Sequence, residues 1–104
     1  MKHYIEHDLG VDVAKKVATH ALETYRERYP NADPQAKWVT DRQADFSVKL
    51  KGMKLAGKIQ VEERRIAIDL DVPFLLRPFR GMAMDVVERE VKTWIAKAKA
   101  GEIS

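Results

Sequence analysis

Asp45-Phe-Ser-Val-Lys-Leu-Lys-Gly-Met-Lys-Leu-Ala-Gly-Lys-Ile-Gln-Val-Glu-Glu-Arg-Arg-Ile-Ala-Ile-Asp-Leu-Asp-Val72 alternates apolar and polar residues with few interruptions. Successive side chains of a strand point to opposite faces, so a period of two marks strands with one buried face. Phe46, Val48 and Leu50, then Leu55, Gly57, Ile59 and Val61, then Ile66, Ile68, Leu70 and Val72 form one apolar face. Asp45, Ser47, Lys49 and Lys51, then Lys54, Lys58 and Gln60, then Arg65, Asp69 and Asp71 form the other. A two-residue turn at Glu63-Arg64 would set Ile59 beside Ile68, Val61 beside Ile66 and, on the polar face, Lys58 beside Asp69. A two-residue turn at Gly52-Met53 would set Phe46 beside Ile59 and Leu50 beside Leu55. Gly57, a residue without a side chain among large ones, is expected to leave room for a close helix or for a ring such as Trp38 or Trp94.

Working outward, the alternation begins near Ala36, and Trp38 and Val39 read as part of a preceding strand. Lys2 to His7 reads as a short edge strand. Between them Ala14, Ala18, Ala21, Leu22, Tyr25 and Tyr29 recur at helical spacing. Asp8 or Gly10 is placed to cap that helix, Asp12 puts a negative charge in its first turn, and Pro30 stops it. On the C-terminal side, two prolines and a glycine in Pro73-Phe-Leu-Leu-Arg-Pro-Phe-Arg-Gly81 predict an irregular apolar connection. Val87, Val91, Trp94, Ile95 and Ala98 then form a second helical stripe, backed by the exposed pairs Asp85 with Arg89 and Glu88 with Lys92, and ending near Gly101. The sequence therefore predicts an α+β protein in two layers. An antiparallel meander sheet carries both helices on one face, in the order β-α-β-β-β-β-α, with Phe46, Val48, Leu50, Ile59, Val61, Ile66, Ile68, Leu70, Val91 and Trp94 buried.

The 104 residues fit one domain, 1–104, and a hydrophobic fraction of 45% with 34% charged is ordinary for a folded chain. Cysteine is absent, which removes disulfides, thiolate chemistry and sulfur-ligated zinc. Met1 to Gly10 contains no apolar run, so neither a signal peptide nor a membrane anchor is expected, and the cytoplasm is the default location. A net charge of +3 from 19 basic and 16 acidic residues is too small and too evenly mixed to point to specific nucleic-acid binding.

No residue set assembles into catalytic or metal-binding chemistry, and no cofactor is expected. His3 and His7 are four apart on an expected strand, a separation of about 13 Å that cannot chelate, and His20 lies elsewhere. Asp69 and Asp71 share a solvated face with Lys58 nearby, so nothing holds a proton between them. Ser47 and Ser104 sit in no nucleophile context. Two surface features remain. Lys49, Lys51, Lys54 and Lys58, with Arg64 and Arg65, could form an anion patch, or simply protect an edge from aggregation. Phe74, Leu75, Leu76 and Phe79 could dock on a partner, or plug the open end of the core.

Gly57-Lys-Ile-Gln-Val61 followed by Ile66-Ala-Ile-Asp-Leu-Asp-Val-Pro-Phe-Leu-Leu-Arg-Pro-Phe-Arg80 resembles the polyhydroxyalkanoic acid system protein family. His7-Asp-Leu-Gly10, Ala14-Lys15, Trp38, Phe46 and Glu90-Val91 fit the same pattern. The chain departs from it at Asp41-Arg42-Gln43, where a Gly-Asp pair would follow the tryptophan. The resemblance implies a setting, polyester storage granules or their regulation, and brings no catalytic residue with it. It favours a non-enzymatic accessory protein touching the granule, the polymer synthase or another granule protein, with self-association open. A carrier gripping a small apolar ligand between helix and sheet, and a weak anion-binding module built on the lysine hairpin, are the competing readings.

Overall fold

The computed structural model describes residues 2–50 and 52–102. Strands β1 (Lys2–Glu6), β2 (Gln35–Trp38), β3 (Gln43–Leu50), β4 (Met53–Val61) and β5 (Arg65–Asp71) form one antiparallel sheet in the order β1-β5-β4-β3-β2. The last four are the expected meander, and β1 adds to its far edge beside β5. Helix α1 (Gly10–Arg28) carries the chain from that edge to the opposite one. Its 19 residues span about 28 Å at 1.5 Å each, enough to cross a five-stranded sheet roughly 19 Å wide. Helix α2 (Arg80–Lys99) completes the order β-α-β-β-β-β-α.

The β4–β5 register is as expected, with Lys58 opposite Asp69, Ile59 opposite Ile68 and Val61 opposite Ile66. The β3–β4 register is not. Phe46 lies opposite Gly57, Val48 opposite Leu55 and Leu50 opposite Met53, so Met53 belongs to the paired strand and the turn is not Gly52-Met53. The left-handed φ of +78° at Gly52, just before Met53, suits a tight hairpin turn. A slip of two residues leaves every side chain on its expected face, so alternation alone could not detect it. The slip also explains Gly57: a Cβ there would overlap the Phe46 ring, 2.8 Å from Cε1, and would approach the Asp69 carbonyl to 3.0 Å. The ring that fills the space is Phe46, neither tryptophan nor a helix.

Three further expectations are corrected. Neither Asp8 nor Gly10 caps α1. Leu9 is the N-cap residue, and its N–H goes to the His7 ring. Strand β2 stops at Trp38, leaving Val39 exposed, and the connection is held by Thr40 Oγ1, which accepts from Arg42 N and Gln43 N at 3.2 and 3.0 Å. That hydroxyl closes the hairpin around Asp41 and Arg42. The stretch after Pro73 is regular: Phe74–Phe79 form a 3-10 helix that runs directly into α2. Pro78 lies inside the 3-10 helix and immediately before Phe79, the N-cap residue of α2, so its missing N–H costs α2 none of its own bonds. At the far end Gly101 N reaches Ala98 O and Glu102 N reaches Lys97 O, a Schellman closure around the glycine at φ +76°.

Ala14, Val17, Ala18 and Ala21 of α1 and Met84, Val91 and Ile95 of α2 pack on Ile5, Phe46, Ile59, Val61, Ile66, Ile68 and Leu70 in one apolar cluster. Val48 and Trp94 are only half-buried, and the Leu50 side chain lies outside the described residues. Val17, absent from the expected stripe, is fully buried. On the opposite face the registers align Lys2, Asp69, Lys58, Asp45 and Lys37 in one row of alternating charge across all five strands.

Candidate apolar binding cleft

The helices leave a cavity of about 300 Å³ between themselves and the sheet. Its floor is Phe46, Leu55, Ile59 and Leu70, and its walls are Ala21, Leu22 and Tyr25 of α1 and Ala83, Val87 and Val91 of α2. The walls follow from residue size, since alanines at the helix–sheet contacts let α1 sit close while giving little bulk to fill the space beside them. Arg26, Tyr29, Lys49 and Met82 stand at the rim.

The polar groups around the cleft are mostly committed to one another. Glu90 accepts from Arg28 Nη1 at 3.0 Å and from Trp94 Nε1 at 3.2 Å, tying the last turn of α1 to α2. Trp94 stacks on His20 of α1 at 4.6 Å between centroids, with Lys97 Nζ 4.4 Å from the indole centroid. Lys49 Nζ is 3.5 Å from Asp33, and Gln35 donates to the same carboxylate at 3.0 Å. Arg26 has no ion-pair partner among the described residues. Tyr25 packs at 4.8 Å against Tyr29, and burial foremost, then the neighbouring Tyr29, raises its pKa, so the wall beside the rim is an uncharged phenol.

The apolar run splits in two. Leu76 is 2% exposed and plugs the core, whereas Phe74 and Leu75 are 75% and 70% exposed, with Met82 of α2 at 54%. Phe79 is half-buried. The Arg77 guanidinium lies 5.3 Å from the Phe74 ring centroid, so the exposed ring faces a cation rather than the core. Met82 belongs both to this exposed set and to the cleft rim.

The lysines do not make a uniform field. Lys58 stands between Asp45 and Asp69, and Lys49 and Lys54 face each other across the hairpin, with Lys49 turned to Asp33. Lys51 lies outside the described residues. An anion approaching this hairpin would meet acids as closely as bases.

His7 has a structural task that its position in the sequence did not disclose. Its backbone N–H donates to Arg64 O at 2.9 Å, Nε2 bonds Glu62 O at 2.8 Å, and Nδ1 accepts from Leu9 N at 3.1 Å. These partners place the proton on Nε2 and pin the start of α1 to the β4–β5 turn. His3 Nε2 pairs with Glu88 at 2.6 Å, joining β1 to α2, and Glu88 also takes an ion pair from Lys92. Asp69 and Asp71 lie on the wet face flanking this strand's alternation, and Ser104 lies outside the described residues. Among the described residues no group of three or more His, Asp or Glu could hold a metal, and no helix is long and apolar enough to cross a membrane.

No curated protein matches the chain. Residues 4–95 of the 104 match the model of the family described as putative polyhydroxyalkanoic acid system protein, and the chain belongs to that family.

Proposed function

We propose that this protein is a non-enzymatic accessory of polyester storage that docks, in the cytoplasm, on the granule surface through Phe74, Leu75 and Met82. The observation that carries the reading is the adjacency in the chain of a buried anchor, Leu76 at 2% exposure, to two large apolar side chains left at 75% and 70%. A short helix held by its own plug offers those side chains at little ordering cost. An apolar polymer surface gives each of them about 1.5–3 kcal/mol on burial, together roughly a hundredfold or more in partition. Family membership supplies the setting.

The test is co-sedimentation with isolated granules beside thermal melts. Phe74→Ser with Leu75→Ser should melt as the parent does and lose most of its sedimentation. Unchanged sedimentation of that variant would sink the reading. The cleft favours a second reading, carriage of a small apolar ligand, because its floor and walls are almost wholly apolar side chains.

A further inference from the structure

We propose that the cleft binds one straight-chain aliphatic carboxylate, with the tail between the helices and the head at Arg26. This rests on the carriage reading and is independent of docking on granules.

Size selects the tail. A cavity of about 300 Å³ stands at the lower end of the roughly 300–1,000 Å³ typical of ligand sites, which suits one medium-length chain and excludes a two-chain lipid. The depth profile selects an amphiphile. The floor residues Leu55, Ile59 and Leu70 and the wall residue Val91 are buried, whereas Arg26, Lys49 and Met82 at the rim are exposed. A molecule seated there has its chain in a dry interior and its end in water.

Charge selects the head. Glu90, the acid that lines the cleft, is engaged by Arg28 and by the Trp94 indole, and Lys49 is shared with Asp33. Of the two basic side chains that line the cleft, Arg26 is the one without an ion-pair partner among the described residues, and a guanidinium presents paired donors that match a carboxylate. The adjoining Tyr25 is held in its neutral form by burial, so it adds no repulsion.

The experiment titrates the full chain with hexanoate, octanoate and decanoate below their micellar concentrations, following methyl resonances by NMR and heats by calorimetry. Affinity should rise about fourfold for each added methylene, with shifts at the methyls of Leu55, Ile59, Val87 and Val91. Arg26→Gln should weaken decanoate about tenfold, a charge-assisted bond at an exposed rim, and leave decanol unchanged. Val87→Phe, which fills the cavity, should abolish binding of both. If that variant loses its cooperative melt, Arg26→Gln decides alone.

Affinity that ignores chain length, shifts confined to residues outside the cleft, or decanoate binding indifferent to Arg26→Gln overturns the proposal. Granule co-sedimentation of Arg26→Gln separates the two readings. A variant that has lost decanoate yet sediments as the parent does shows that ligand and docking surface are distinct, and the Phe74→Ser, Leu75→Ser variant should still bind decanoate.

Discussion

Replacing Gly57 by alanine tests the register of the central hairpin. Phe46 lies opposite Gly57, and the new methyl would overlap the Phe46 ring, with Cε1 at 2.8 Å and the Asp69 carbonyl at 3.0 Å. The ring is 9% exposed and sits on a floor shared with Ile59 and Leu70, so it cannot swing freely, and the carbonyl belongs to the neighbouring strand. Overpacking of this kind costs about 1–3 kcal/mol, although a strand alanine ordinarily gains roughly 0.5–1 kcal/mol over glycine. A net loss of about 1–2 kcal/mol corresponds to roughly 5–15 °C in a domain of this size. Phe46→Ala alone should cost about 3–5 kcal/mol. The double variant should be no worse than Phe46→Ala, because the alanine methyl then occupies vacated space. The coupling read from urea melts of the four proteins should be about 1–2 kcal/mol. In the register with Phe46 opposite Ile59, the two substitutions would simply add. Additive losses, or a Gly57→Ala variant at least as stable as the parent, would refute the reasoning.

Leu76→Ala should destabilise by about 2–5 kcal/mol while Phe74→Ala stays within roughly 0.5 kcal/mol, a contrast that thermal melts read directly. His7→Ala removes the ring that serves both Glu62 O and Leu9 N, and should cost about 2–3 kcal/mol in urea melts. The Glu88 carboxyl is held below the ordinary range, first by the hydrogen bond from Lys92 and then by the His3 and Lys92 charges, with burial opposing. A depressed carboxylate stabilises above its unfolded pKa of about 4.3 and loses that contribution as pH falls through the folded value. The stability gap between parent and Glu88→Gln should therefore persist near neutrality and close in acid, and a gap unchanged in acid melts would count against it. Lys58→Glu would put three acids side by side with Asp69 and Asp45, and should cost about 1–2 kcal/mol, less at high salt.

The sheet was legible because its code is local: Ile59, Val61, Ile66 and Ile68 alternate without exception, and Lys58 opposite Asp69 fixes one register by charge. The β3–β4 register was not, since a slip of two residues preserves both faces and only the fit of Phe46 over Gly57 distinguishes the alternatives. Val17 escaped the helical stripe because alanines on either side already satisfied the spacing. Prolines at 73 and 78 argued for an irregular connection, yet Pro73 is the N-cap residue of the 3-10 helix and Pro78 lies at the junction where that helix passes into α2, whose own bonds begin beyond it. The candidate site was half visible. Phe74 to Phe79 stood out by composition, but which members face water depends on the turn of a 3-10 helix that the prolines concealed. The cleft had no sequence signal of its own, because a void is set by residues that are small, such as Ala21 and Ala83, and small residues are read equally well as close packing.

The two faces of the sheet divide the molecule's options. On the outer face, Lys2, Asp69, Lys58, Asp45 and Lys37 alternate in sign through every strand, so each lysine has an acid beside it and the row presents neither an apolar surface nor a uniform field. Removing that row from water against an apolar partner would strip five charges of hydration that their neighbours only partly replace. The proposed apolar recognition therefore falls on the helical side. There the helices cover the sheet except at one corner, where α1 has reached its last two turns and α2 is in its first three. That corner holds the cleft, and its rim residue Met82 follows Phe74 and Leu75 closely along the chain. Tyr4 and Val39 are also exposed but stand singly on other elements, so the apolar partner proposed above, whether polymer or single chain, is expected at that corner.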